Sequence, residues 1–121
     1  MSIERYESPL GLPFSRMIRA GGFVFFSGQI PMDSKGQVVR GDIKTQTQAV
    51  MERLSDSLSE VGLNLSDVVK VTVWLSDLSL FAEFNDTYRG YFKAGLPVRS
   101  TVEAKLAMDV DLEIEIQALD R

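Results

Sequence analysis

Hydrophobic positions along this chain follow two different periods. Between Gly41 and Gly62, Ile43, Val50, Met51, Leu54, Leu58 and Val61 recur mostly at steps of three and four, with Thr47 on the same side. That spacing is one face of a 3.6-residue helix. Asp42 is a natural N-cap, and Gly62 is a natural stop just past the last turn. A second helical stripe, Phe81, Phe84, Tyr88, Tyr91 and Phe92, runs through SLFAEFNDTYRGYFK. An aromatic stripe at this spacing reads as core packing. Gly90 inside it costs up to about 1 kcal/mol relative to alanine.

Elsewhere the period is two. SRMIRA and FVFFSGQIP form a hairpin turned at Ala20-Gly21-Gly22, where glycines supply the positive φ that a tight turn requires. DVVKVTVWLSDL, RSTVEAKL and LEIEIQAL supply three more strands. ESPLGLP reads as an extended arm or loop, and DSKGQ as a polar connection. The predicted order is β-β-α-β-α-β-β, an α+β domain spanning residues 1–121. Hairpins at both ends of a β-α-β unit imply a mixed sheet with two helices on one face.

Such a sheet has a bare side, and the alternation assigns residues to it. In DLEIEIQAL, Leu112, Ile114, Ile116 and Ala118 face one way, and Asp111, Glu113, Glu115 and Gln117 the other. In RSTVEAKL, Ser100, Val102, Ala104 and Leu106 oppose Arg99, Thr101, Glu103 and Lys105. The third strand sets Val69, Val71, Val73 and Leu75 against Val68, Lys70, Thr72 and Trp74. The hairpin carries aromatics on both faces. A side bearing Trp74 and one or two phenylalanines is a poor solvent face. An oligomer that packs these sides together covers it. Arg99 and Thr101 are then expected in a cleft between subunits, with Glu103, Glu113 or Glu115 near enough to hold a water. The alternative is that Arg99 merely pairs with an acid on a neighbouring strand.

The residue inventory narrows the chemistry. The chain has no cysteine and no histidine, so thiolate and imidazole nucleophilic sites and the usual transition-metal ligands are excluded. A net charge of −4 without any basic block disfavours nucleic acid as a partner. Asp109 and Asp111 do not follow a calcium-loop spacing, so no metal is expected. No apolar run reaches the ~20 residues of a membrane span, and MSIERYESP lacks an apolar signal core, so a cytoplasmic location is expected.

FVFFSGQIPMD, GDIKTQTQAVMERL, DVVKVTVWLSDL, FNDTYRGYF, PVRSTVEAKL and LEIEIQA together resemble, in order, the blocks of the RidA/YjgF family of imine/enamine deaminases. The resemblance implies a chorismate-mutase-like fold, assembled as a homotrimer with sites at the subunit interfaces. It implies hydrolysis of reactive 2-imino and 2-enamino acids to 2-keto acids and ammonia, without a cofactor. By the same resemblance Arg99 clamps the substrate carboxylate and Glu113 positions or activates water. Thr101 holds water where many deaminases have cysteine, and Ser27 and Gly28 line the site. Phe14 stands where a tyrosine is usual. Asn85 is a further substrate-binding candidate, and the AMDVD turn is one residue shorter than usual and lacks a proline. Read as residues alone, Thr101 is also a good strand former, Ser27-Gly28 a tight-packing pair and Asn85 a helix-surface hydrogen bonder. A nuclease is disfavoured by the acidic charge. A family member that binds small carboxylates or protein partners without turnover is the alternative to an enzyme.

Overall fold

Both periods become structure, with one strand more than the alternation predicts. In chain order the elements are β1 (Glu4–Glu7), β2 (Ser15–Ala20), β3 (Phe23–Phe26), α1 (Ile43–Glu60), β4 (Val68–Leu75), α2 (Phe81–Arg89), β5 (Val98–Glu103) and β6 (Leu112–Leu119). This is a computed structural model, and it describes residues 2–121. The six strands form one sheet in the order β1-β2-β3-β6-β4-β5. Every pairing is antiparallel except β4–β5, which are joined through α2 as a parallel crossover requires. The architecture is the expected mixed α+β sheet with two helices.

The additional strand is β1, which pairs antiparallel with β2 in the segment ahead of the expected arm. Its four residues ERYE are mostly exposed, and only Tyr6 packs on the core, so no apolar alternation marks it. The hairpin turn closes on two residues, Gly21 (φ 61°) and Gly22 (φ 86°), because Ala20 pairs directly with Phe23. Positive φ at both central positions matches the right-handed twist of the flanking strands.

Helix α1 is delimited as its sequence dictates. The Asp42 carboxylate accepts from the Thr45 N–H (2.9 Å). At the other end Gly62 N–H reaches Ser59 O (3.1 Å) and Leu63 N–H reaches Leu58 O (2.9 Å), a Schellman closure. Its inner face buries Ile43, Thr47, Val50, Met51, Leu54 and Leu58. These pack with Val24, Val71, Val73, Leu75, Phe84, Leu112 and Ile114 in one apolar layer between sheet and helices. Each fully buried aliphatic side chain contributes roughly 1.5–3 kcal/mol, so this layer decides which side of the sheet is covered.

Two local expectations are corrected. Gly90 caps α2 and does not interrupt it, since the helix ends at Arg89. Val68 is buried and Val69 exposed, the reverse of the simple alternation, because a bulge between Val68 and Lys70 shifts the parity of β4.

The largest correction concerns β5. In the parallel ladder Arg99 pairs with Val71, Thr101 with Val73 and Glu103 with Leu75, so these side chains share the covered, helix side. Ser100 and Val102 pair with Thr72 and Trp74 on the open side. The sequence places Arg99 and Thr101 on the bare face, whereas the register puts them on the helix side. The open side carries exposed apolar residues, as expected: Phe25, Val98 and Val102 share it with half-buried Trp74 and with Lys70, Thr72, Glu113, Glu115 and Gln117.

Candidate functional site

Arg99 lies against the inner surface of α2. Its guanidinium carbon is 4.9 Å from the Tyr88 ring centroid, 5.3 Å from Phe84 and 5.5 Å from Phe81. Three aromatic faces attract the cation and hold its plane. One terminal nitrogen donates to Asn85 Oδ1 (2.7 Å). None of the ion pairs among the described residues involves Arg99. The reading of Arg99 as a cross-strand ion pair is therefore not what this chain shows. The charge is held by neutral partners among the described residues.

A cavity of about 240 Å³ is lined by Asn85, Tyr88, Arg89, Leu96, Pro97 and Arg99. Asn85, Tyr88 and Arg89 occupy i, i+3 and i+4 on α2, which puts them on one helix face. Tyr88 is 4% exposed, and its hydroxyl has no hydrogen-bond partner among the described residues. Burial pushes this phenol up to about 12, against the opposing pull of Arg99, so it remains a neutral donor. Thr101 follows Arg99 on the same side of β5 and is half-buried. Glu103 shares that side, but its carboxylate accepts from the Leu78 N–H (2.8 Å) and is spent as a cap.

Glu113 belongs to a different place. It pairs with Trp74 across β6–β4 and so projects from the open side, opposite to Arg99. The loop after β3 runs beside it: Gln29 and Ile114 exchange backbone hydrogen bonds of 2.8 and 3.0 Å. A Cβ added at Gly28 would lie 2.1 Å from Glu113 Oε2, so only glycine leaves this carboxylate where it is. Ser27 Oγ donates to Ser15 O (2.6 Å), the residue after Phe14, which is 51% exposed. Arg53 Nη1 donates to Ile30 O (2.7 Å) and ties the loop's far end to α1.

The Glu113 carboxyl is raised above the usual glutamate range, first by burial and then by the neighbouring Glu115 charge. An arginine beside it would lower it. Arg99 of the same chain lies on the other side of the sheet.

The candidate residues thus fall into two groups. Arg99, Thr101 and Asn85 gather at the β5–α2 edge, whereas Glu113, Gly28, Ser27 and Phe14 gather at the open side. Tyr88, Arg89, Leu96 and Pro97 are additions that the sequence did not single out. Tyr88 was absorbed into the aromatic stripe, and only its i+3 spacing from Asn85 could have marked it. Among the described residues no cluster of three potential ligands is placed to hold a metal ion. Asp111 accepts from Ser76 Oγ (2.6 Å) and from Gln46 Nε2 (3.0 Å). No helix among the described residues is long and apolar enough to cross a membrane.

Comparison with known proteins places these features in a lineage. Residues 8–120 match the family model described as Endoribonuclease L-PSP. A RutC family protein of Pyrococcus horikoshii is 46% identical over 114 residues, covering 93% of this chain and 90% of its own length. A 2-iminobutanoate/2-iminopropanoate deaminase of Salmonella typhimurium is 39% identical over 113 residues, covering 90% and 88%. The crystal structure of yeast Mmf1 superposes with a TM-score of 0.92 at 33% identity, covering 99% of this chain and 100% of that one.

Proposed function

This chain belongs to the YjgF/RidA family, and from that premise we propose that it hydrolyses reactive 2-imino and 2-enamino acids to 2-keto acids and ammonia. One observation carries the reading: a guanidinium stacked on three aromatic rings lines a cavity and makes no ion pair among the described residues. A fork so held takes a carboxylate in two parallel hydrogen bonds. Water then adds to the C=N carbon of the protonated imine, and the resulting carbinolamine expels ammonia and leaves the ketone. Only a base and an acid are required, which suits a chain without cysteine or histidine. Glu113 takes a proton from the attacking water and returns it to the leaving nitrogen. Such proton transfers contribute on the order of 10²–10⁴-fold. Thr101 helps hold the water, and Asn85, Ser27, Gly28 and Phe14 line the site.

The two groups of residues meet only if a second copy presents its open side to the β5–α2 edge of the first. We therefore include a closed homotrimer, with sites at the subunit interfaces, in the proposal. The exposed Phe25, Val98 and Val102 supply the apolar surface for that contact. A cytoplasmic location and small-molecule substrates belong to the same reading. The nuclease named in the family description needs a phosphate-binding surface, and a net charge of −4 does not favour one.

The test is a coupled assay. An amino-acid oxidase generates 2-iminopropanoate or 2-iminobutanoate, and the loss of imine is followed with and without the protein. Acceleration over buffer supports the enzyme. Binding of 2-keto acids without acceleration supports the non-catalytic alternative, which rests on Phe14 and Thr101 standing where deaminases carry a phenol and a thiol.

A further inference from the structure

Within one chain, the cavity that Arg99 lines has a second arginine in its wall and, among the described residues, no acidic side chain. Arg89 and Arg99 both line it, with Asn85, Tyr88, Leu96 and Pro97. Neither arginine takes part in an ion pair among the described residues. The chain as a whole carries a net charge of −4, so this is a local reversal of sign. A 2-imino monocarboxylate engages one of the two cations and leaves the other unmatched. The buried Tyr88 hydroxyl, without a partner among the described residues, offers a further donor to an acidic group. Leu96 and Pro97 give the apolar wall that a short carbon spacer needs. Arg89 sits in the last turn of α2, where the helix end favours a cation. That accounts for a positive residue at the helix end, but not for its sharing one cavity wall with Arg99.

We propose that this site selects 2-imino dicarboxylates, the imines of acidic amino acids, over 2-imino monocarboxylates, and that Arg89 reads the second acidic group. The proposal rests on the deaminase reading for its chemistry but not for its binding, and the experiment separates the two. Calorimetry compares 2-ketobutyrate with 2-ketoglutarate, which are stable product analogues of one and two carboxylates. In parallel, imines generated from alanine and from glutamate are followed in the coupled assay. The unaltered protein binds the diacid about tenfold more tightly, equivalent to ~1.4 kcal/mol. The ratio of kcat/KM for the two imines moves the same way. Arg89→Gln brings both ratios close to one, and Arg89→Lys restores part of the preference. Equal binding of the two keto acids, or a preference that survives Arg89→Gln, overturns the proposal. If the calorimetric preference holds while neither imine is hydrolysed, the selectivity stands and the deaminase reading falls. If both imines are hydrolysed at equal efficiency, the reverse is true.

Discussion

Strands β5 and β6 flank the same strand, β4, and obey opposite rules. In β6 the apolar set Leu112, Ile114, Ile116 and Ala118 is buried under the helices, and the acids Glu113 and Glu115 face out. In β5 the arginine and threonine lie on the covered side, while Val98, 68% exposed, and Val102 face the open side. Alternation tells which residues share a face of a strand. It does not tell which face is covered; that is set by the register with the neighbouring strand. In β5 a cation occupies an inward position because α2 offers it three aromatic faces and an amide oxygen in place of water. A local break in the hydrophobic rule with such specific compensation is the mark expected of a functional position.

The sharpest way to break this comparison is to separate its two sides genetically. Arg99→Ala and Glu113→Gln should each lower kcat/KM for 2-iminopropanoate by at least about 100-fold, and Arg99→Lys should not rescue the first. Co-refolded in equal amounts, the two inactive chains should recover roughly a quarter of wild-type activity. In a closed ring that fraction of interfaces joins an intact arginine edge to an intact glutamate side. A mixture as inactive as its components would mean that each site lies within one chain, and the two-sided picture would be lost.

The open side supplies the next test. Val102→Asp places a charge beside Trp74 on the open side without touching the covered layer. A buried, unpaired charge at a subunit contact costs several kcal/mol, so sedimentation should shift to the monomer and activity should fall with it. The Arg99 surroundings should persist, because they are built within one chain. Binding of 2-ketobutyrate to the monomer, weakened but present, would show this.

How far the sequence alone reaches can be judged from the same two strands. Helix α1 was legible to both ends, because Asp42 and Gly62 act locally. Strand β6 was legible because one side of it is purely apolar. Strand β1 was hidden, since an edge strand with one packed side chain carries no alternation. The bulge in β4 and the parity of β5 were hidden for a shared reason: both depend on which strand lies alongside, a non-local fact. Arg99, Thr101, Glu113 and Asn85 were named through strand alternation and the family resemblance, neither of which could show their division between two sides of the sheet. Tyr88 and Arg89 escaped because an aromatic stripe is normally core, and Tyr88 is core and cavity wall at once.

Glu113 gives a pH test of smaller effect. Its carboxyl is raised in the folded chain by burial and by Glu115. A raised carboxyl stabilises least when ionised, so its contribution is full below the unfolded glutamate value and is lost as pH rises through the folded one. In the monomeric Val102→Asp background, Glu113→Gln should therefore melt with its parent in acid and at a higher temperature near neutrality. In the assembled protein that advantage should shrink or reverse at neutral pH, because the neighbouring copy's guanidinium comes beside the carboxylate; an advantage of the same size in both would count against the two-sided site.

The turn joining the two strands sets the smallest prediction. Between β5 and β6, Met108 (φ 60°) and Asp109 (φ 55°) are consecutive left-handed residues. Arg40 secures the turn by donating to Met108 O (2.9 Å) and Asp109 O (3.4 Å). An L-residue pays about 1–2 kcal/mol in this conformation, and aspartate tolerates it better than methionine does. Met108→Gly removes that strain but frees the unfolded chain, an opposing term of about 0.5–1 kcal/mol. Met108 is exposed, so little packing is lost. The net expectation is stabilisation of about 0.5 kcal/mol in urea denaturation, with an unchanged slope and unchanged activity. A loss of stability would mean that the methionine side chain is held by a contact the single chain does not contain, which would extend the interface from the open side to this turn.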